Sequence, residues 1–294
     1  MSRRLPARQR SRPAAWRYRR DVPALVIAIV VVSGALGLLA QHRIASRVRT
    51  QGQSTAEGIP LTDLIAPVRI LVALVLAFVI FQTFSSYQDA SDAADNEAGA
   101  VSTEAEAAAL LPSPTGPELV GLLRCYARAV AGPGWASLEA TRQTSSISSD
   151  ADARVAAAVA QAQQQAGANQ TPLDEVVTAE RDRSDARRVR LAEAEPSVPG
   201  IVTALLIGSV VITVASTAAF ADRRIRASLR WTMLGITALI FTTSLLVILD
   251  LDRPFGGLAK IDPTAMRTAE QQIGAMPFGD NPPCDASGAP VGGS

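Results

Sequence analysis

LTDLIAPVRILVALVLAFVIFQTFSSYQDASDAADNEAGAVSTEAEAAALL, residues 61–111, decides the fold. Its first half is apolar through Phe84. Its second half is rich in alanine and acids, and between Phe84 and Pro112 only Gly99 weakens a helix. The stretch therefore predicts one helix of two characters, lipid-facing first and polar afterwards. Arg69 interrupts the apolar part near its start, and a guanidinium is costly at mid-bilayer, so it is expected near a membrane face with its head snorkelling outward.

Working outward, three more apolar runs have the ~20-residue length that a helix needs to cross a bilayer core. The set is Val22–Ala40, Ile65–Phe84, Val198–Ala221 and Trp231–Leu249. The pairs flank a polar insert as long as a small domain. The segment boundaries expected are a basic tail over 1–20, spans one and two in 21–84, an insert over 85–197, spans three and four in 198–250, a membrane-proximal segment over 251–276 and a disordered tail over 277–294. The expected class is an all-α integral membrane protein with four transmembrane helices (2+2) and a cytoplasmic helical insert that continues the second and third spans.

Within the insert, Leu119, Leu122, Leu123 and Tyr126 fall at core-facing helical spacing. Gly132-Pro133-Gly134 is expected to interrupt that helix before Trp135. Residues 143–150 read as a Ser/Thr loop, Ala151–Gln165 as a helix, and Pro172 as a first-turn residue for a helix over 173–195. The alternating acids and arginines of that last helix read as an exposed, salt-bridged face. A short helix is expected over Pro263–Met276.

The 294 residues carry a net charge of +1, and Lys260 is the one lysine among 28 basic residues. The tail holds eight arginines and no acid; its expected role is orientation, with lipid contact alongside and nucleic acid not among the expected partners. With the N-terminus cytoplasmic, the inner side takes those eight plus Arg181, Arg183, Arg187, Arg188, Arg190, Arg253 and Lys260. That is fifteen basic residues, against seven outside: Arg43, Arg47, Arg49, Arg223, Arg224, Arg226 and Arg230. The positive-inside rule then puts both termini and the insert in the cytoplasm of a multi-pass cell-membrane protein.

One histidine, His42, and two distant cysteines, Cys125 and Cys284, weigh against a zinc site or a Ser-His-Asp hydrolase. They predict neither a disulfide framework nor a CxxC motif. No phosphate loop, dinucleotide fingerprint or catalytic carboxylate pair is present, so no cofactor, metal or enzymatic activity is expected.

The spans lack mid-membrane Asp, Glu or Lys, which disfavours a proton-driven transporter. They are rich in small and hydroxylic residues (Ser33, Gly37, Ala204, Gly208, Ser209, Thr213, Ser216, Thr242, Thr243, Ser244), which suit close helix packing or, for Thr242–Ser244, a wet path. Leu74, Phe78 and Phe81 recur one turn apart and are candidates for a dewetting constriction in an oligomer, with ordinary packing the alternative. Asp89, Asp92, Asp95 and Glu97 then form an acidic rim that attracts cations, or a solvated face.

The order of these elements, with Tyr87–Ala98, Tyr126–Trp135, Arg188-Val189-Arg190-Leu191 and above all Leu251-Asp252-Arg253-Pro254-Phe255-Gly256-Gly257 followed by Pro263, resembles the bestrophin-like family of uncharacterised membrane proteins. The resemblance covers about residues 22–276 and departs at Gly134, where an acid is expected before Trp135. It marks Glu97, Tyr126, Trp135, Arg190, Asp252, Pro254, Phe255 and Gly257 as structural motif residues. Bestrophins proper are pentameric, chloride-permeable channels with a helical cytosolic part, so the resemblance implies a similar topology and a homo-oligomer that passes ions. The acidic rim and the missing calcium-type acidic loop argue against the calcium-gated anion mechanism. The other class of function open to such a chain is a membrane-anchored scaffold or sensor that binds a cytoplasmic partner.

Overall fold

A computed structural model of the chain describes residues 61–165, 171–219 and 226–291, with scattered positions between 27 and 39. The basic tail, His42, Ser33 and the loop arginines before residue 50 lie outside the described residues. The helices are α1 (Leu61–Ala109), α2 (Thr115–Ala129), α3 (Trp135–Thr141), α4 (Ser146–Gln165), α5 (Thr171–Ala192), α6 (Gly200–Ala219), α7 (Ala227–Leu251) and α8 (Thr264–Ala275). Among the described residues the only β pairing is a single bridge, Cys284 to Pro290. The all-α expectation stands, and α1 is the long two-character helix its sequence implies.

The chain divides into two compact units: residues 1–79 with 200–247, and residues 80–199 with 248–294. In the first, α1 buries the stripe Val72, Leu76 and Val79, and α6 buries Leu206, Val210, Thr213, Val214 and Ala218. The first apolar segment is helical at its described positions between 27 and 39. Its Gly37 lies so close to Ala215 and Ala218 that a Cβ there would overlap the Ala215 carbonyl. That is the close approach small residues permit. Among the described residues three helices are long and apolar enough to cross a membrane: those over Ala66–Ala109, Gly200–Ala219 and Ser228–Leu251. At most 28% of the apolar window of any of them is buried within the chain, so lipid or further protein must cover the rest.

In the second unit, the distal part of α1 packs with α2, α4, α5 and α8 around Ala94, Ala98, Val101, Ala105, Leu119, Leu123, Val155, Val176 and Ile273. Alanine on α1 lets the helices approach closely, and Leu and Val on the others fill the gaps. The Gly132-Pro133-Gly134 run does not break the rod. Val130–Gly134 forms a π turn between α2 and α3, whose wider hydrogen bonding accommodates Pro133 without an N–H. Gly134 explains the missing acid: a Cβ there would stand 3.0 Å from the Ala129 carbonyl oxygen.

Four expectations need correction. The third span is not a continuation of the insert: α5 stops at Ala192 and α6 starts at Gly200, because Pro196 and Pro199 supply no N–H for an unbroken ladder. The Ser/Thr loop is shorter, since Ser145 Oγ accepts the N–H of Ser148 at 3.1 Å and starts α4 at Ser146. The cysteines do pair: Cys125 of α2 and Cys284 form a disulfide with Cα atoms 5.8 Å apart. Consequently residues 277–291 of the expected disordered tail form an ordered strap.

Asp285 shapes that strap, its Oδ1 accepting the N–H of Ser287 at 2.8 Å and of Ala289 at 3.1 Å. Gly288 turns with φ +80° where an added Cβ would lie 2.5 Å from the Ala129 nitrogen, so only glycine fits.

Candidate functional site

The chemistry-bearing side chains of the second unit converge on one buried ladder. On α1, Glu97 and Glu104 are seven residues apart; on α5, Arg183 and Arg190 are also seven apart. Two turns of helix separate each pair. Arg190 binds Glu97 through Nε and, at 3.2 Å, through Nη2. Arg183 Nε donates to Glu104 Oε2 at 2.6 Å. The four residues are at most 2% exposed.

Tyr126 of α2 stands between the rungs. Its hydroxyl donates to Glu97 Oε1 at 2.5 Å, and the Arg183 guanidinium lies 4.6 Å from its ring centroid. From α4, Asp152 accepts Arg183 Nη1 at 2.6 Å and pairs with Arg187 Nε at 3.3 Å.

The electrostatics follow from burial. Burial pushes the Glu104 carboxyl up to about 7, against the opposing pull of Arg183. Its Oε1 has no hydrogen-bond partner among the described residues. Burial and then the Glu97 charge drive the Tyr126 phenol well above its ordinary range. For Arg183 and Arg190 burial acts downward, but the carboxylates of Glu104 and Glu97 outweigh it and hold both guanidiniums charged. In the Arg183–Glu104 pair the proton that comes and goes is therefore the one on Glu104.

The Leu251–Gly257 motif closes the other end. Trp135 at the head of α3 stacks edge-on to Phe255 with centroids 5.2 Å apart, and Trp135 Nε1 donates to the Ile261 carbonyl at 2.9 Å. The Arg190 guanidinium lies over the Trp135 ring, 5.7 Å from its centroid. Pro254 is buried, and its carbonyl accepts the N–H of Ile261 at 2.8 Å. Asp252 Oδ1 accepts Val198 N–H at 2.9 Å and the Ser197 hydroxyl at 3.1 Å, which fixes the chain just before α6. Gly257 has no room for a side chain, since a Cβ would meet the Asp250 carbonyl oxygen at 2.7 Å.

All eight motif residues thus lie in the second unit, and Glu97, Tyr126, Arg190, Trp135 and Phe255 form one contact chain. Two expectations change. Glu97 leaves the exposed acidic rim, although Asp89, Asp92 and Asp95 remain exposed. The helix over 173–195 keeps an exposed charged face, with Arg188 paired to Asp185, but Arg183, Arg187 and Arg190 leave it and continue the buried stripe begun by Leu173, Val176 and Ala179.

Sequence reasoning missed Glu104, Arg183 and Asp152 as partners. The matched seven-residue spacings of acids and arginines were the signal.

Leu74, Phe78 and Phe81 lie elsewhere on α1, at 65%, 64% and 69% exposure. Hydroxyls of the first unit bond their own helices: Ser209 to the Leu205 carbonyl, Thr213 to Ser209 and Ser244 to Ile240. Among the described residues no group of His, Cys, Asp and Glu is placed to hold a metal ion.

An all-α multi-pass membrane protein, with a helical body organised by a buried Glu–Arg ladder, is the class these features define. Residues 27–266 match the bestrophin-like domain, and the chain belongs to the bestrophin-like family. Its fold is similar to that of a bacterial bestrophin homologue from Klebsiella pneumoniae. A single-residue variant of that protein gives a TM-score of 0.66 at 13% identity, over 87% of this chain and 99% of the other. A structure of the homologue phased on zinc gives 0.65 at 14% identity, over 87% and 98%. A variant of a protein described only as a membrane protein gives 0.62 at 14% identity, over 87% and 99%. No curated protein matches in sequence.

Proposed function

We propose that this chain assembles with copies of itself into a bestrophin-like pore for small ions, with α1 facing the conduction path. One observation carries the reading. Leu74, Phe78, Phe81, Ser85, Gln88, Asp92 and Asp95 recur every three or four residues, so they share one side of a single helix. That side is apolar at one end and acidic at the other, and its large apolar residues Leu74, Phe78 and Phe81 are exposed. A ring of such helices puts Leu74, Phe78 and Phe81 at a constriction that gates by dewetting, and a ring of Asp92 and Asp95 that concentrates cations at the mouth. The buried ladder then acts as the frame that holds α1 rather than as a site of chemistry, and the protein is not an enzyme.

The excess of arginine and lysine supports a cytoplasmic insert and termini. Disulfides belong mainly to oxidising compartments, so Cys125–Cys284 is the feature that opposes this orientation. Reporter fusions to the C-terminus and to the 222–230 turn decide it; an extracytoplasmic C-terminus overturns the proposed side.

The function is tested by native mass spectrometry in detergent and by flux from reconstituted vesicles, with sodium and chloride compared. A closed ring that passes sodium, with Phe78→Ala raising the flux and Asp92→Asn with Asp95→Asn lowering cation preference, is the expected result. A monomer, or a ring that passes neither ion, sinks the pore and leaves the scaffold reading.

A further inference from the structure

On the side of α2 away from the ladder, α2, α8, the π turn and the strap enclose an open cleft of about 520 Å³. Arg124, Arg128, Arg267, Glu270, Gly132 and Asp285 line it, with Cys284 of the disulfide in its wall. The cleft lies wholly in the second unit.

Its charge is unbalanced. Arg124 and Arg128 both donate through Nε to the same oxygen, Glu270 Oε1, at 2.8 and 2.9 Å. One carboxylate therefore neutralises two guanidiniums incompletely. The Asp285 carboxylate, which the Ser287 hydrogen bonds and then the Arg128 charge hold below its ordinary range, offsets part of that charge, and Arg267 leaves the lining with three guanidiniums against two carboxylates. Asp285 Oδ1 is taken by the backbone N–H of Ser287, by the Ser287 hydroxyl at 2.6 Å and by the N–H of Ala289. What the strap offers the cleft is its backbone: Arg128 Nη1 donates to the Asp285 carbonyl at 3.4 Å, and Arg124 Nη1 to the Gly279 carbonyl at 2.5 Å.

These bonds fix the two guanidiniums; Arg124 Nη2 lies against Gly274 of α8, and Arg128 Nη2 makes no hydrogen bond among the described residues. Arg267, one turn before Glu270 on α8, is exposed, and its side chain forms no hydrogen bond or ion pair among the described residues. Three arginines, two of them already ordered by Glu270 and the strap, thus surround a volume large enough for a small molecule. Preorganised guanidinium forks match the planar, bidentate geometry of carboxylate and phosphate oxygens, and ordering the donors in advance lowers the entropy cost of binding.

We propose that this cleft binds a small oxyanion, a carboxylate or phosphate group, between Arg128 and Arg267, with Arg124 and Glu270 as the residues that position Arg128. The site is independent of the pore reading.

The test uses the full-length protein in neutral detergent, with inorganic phosphate and succinate as probes in isothermal titration. Saturable binding of at least one probe is expected, at one per chain. Arg267→Gln removes no side-chain hydrogen bond or ion pair among the described residues and is expected to weaken it about tenfold, the loss of one charge-assisted hydrogen bond. Arg128→Gln weakens it further, and Lys260→Gln, whose partner Glu139 lies outside the cleft, leaves it unchanged. Repeating the titration with added phosphatidylglycerol separates the sources. Competition assigns the oxyanion to a lipid headgroup, its absence to a soluble anion, and either supports the site. No saturable binding of either probe, or equal affinity in parent and Arg267→Gln, overturns the proposal.

Discussion

The two units of this chain solve the packing problem in opposite ways. The first buries thin stripes of Val, Leu and Ala, turns its hydroxyls back onto their own helices and leaves large apolar side chains such as Phe78 uncovered. The second is crossed by directional contacts: two buried ion pairs, a tyrosine hydroxyl on a carboxylate, an aromatic edge contact and a disulfide. The difference teaches where specificity resides. Nonpolar stripes tolerate exchange of partners, including lipid and further copies of the chain. A buried charge has one acceptable neighbour, so the second unit is committed to one arrangement.

The largest effect expected on that contrast is loss of one rung. Arg190→Met strands Glu97 in the core with only Tyr126 beside it, and stranding one member of a buried pair costs about 3–5 kcal/mol. Arg190→Met combined with Glu97→Leu removes both charges and is expected to recover most of the loss, since apolar replacement of a whole buried pair is often near neutral. Denaturant unfolding of the parent and these two variants in detergent checks this. If the single and double variants are equally unstable, the ladder is not what commits the second unit.

Next in size is the disulfide. Cys125 and Cys284 are 159 residues apart, and removal of a native disulfide typically costs about 2–5 kcal/mol. Cys125→Ser is expected to destabilise the second unit and to open the strap, residues 277–291, to proteolysis. A strap equally resistant with and without reductant would show that Arg124, Arg154 and Gly288 hold it without the bond.

How much of this contrast was legible in the sequence depends on what writes the signal. Apolar length and proline punctuation mark α1, the spans and the ends of α5, because lipid and backbone sterics act on composition and spacing directly. The resemblance placed Glu97, Tyr126, Arg190, Trp135 and Phe255 in one motif set, but it gave no contacts. Arg183, Arg187 and Arg190 read as solvated because arginine is rarely buried, and only its acidic partners, 79 and 93 residues away, reverse that rule. Pairings across such distances depend on topology. The same holds for Cys125 and Cys284: two distant cysteines say nothing until the strap brings them together.

A third, smaller effect separates the two rungs. Glu104 is held at about 7, above its ordinary 4.5, so between those values the folded chain keeps a proton that the unfolded chain has lost. Stability from this group is full below pH 4.5 and falls as pH rises through 7, by at most about 3 kcal/mol. Glu270 and Asp285, held below their ordinary range, act at lower pH and do not mask the window. Glu104→Gln is expected to flatten the slope between pH 5 and 7 in thermal unfolding. An unchanged slope assigns it to other groups and makes the Glu104–Arg183 rung an ordinary ion pair.

The smallest effect belongs to the first unit. Ser244 Oγ donates to the Ile240 carbonyl of its own helix at 2.9 Å, and that carbonyl is already engaged in the α-helical ladder. Removing the hydroxyl frees a secondary bond and exposes no unsatisfied donor. Ser244→Ala is therefore expected to change stability by no more than about 0.5 kcal/mol, the usual range for substitutions that touch no special feature. Flux is the sharper readout. If Thr242–Ser244 lines a wet path, the hydroxyl turns toward water during conduction and Ser244→Ala alters ion flux while leaving the fold intact. If α1 alone faces the path, flux is unchanged, and the polar specificity of this molecule belongs to the second unit and the acidic end of α1. A shift in flux from this one hydroxyl would break the contrast, because the first unit would then carry a directional polar contact of its own.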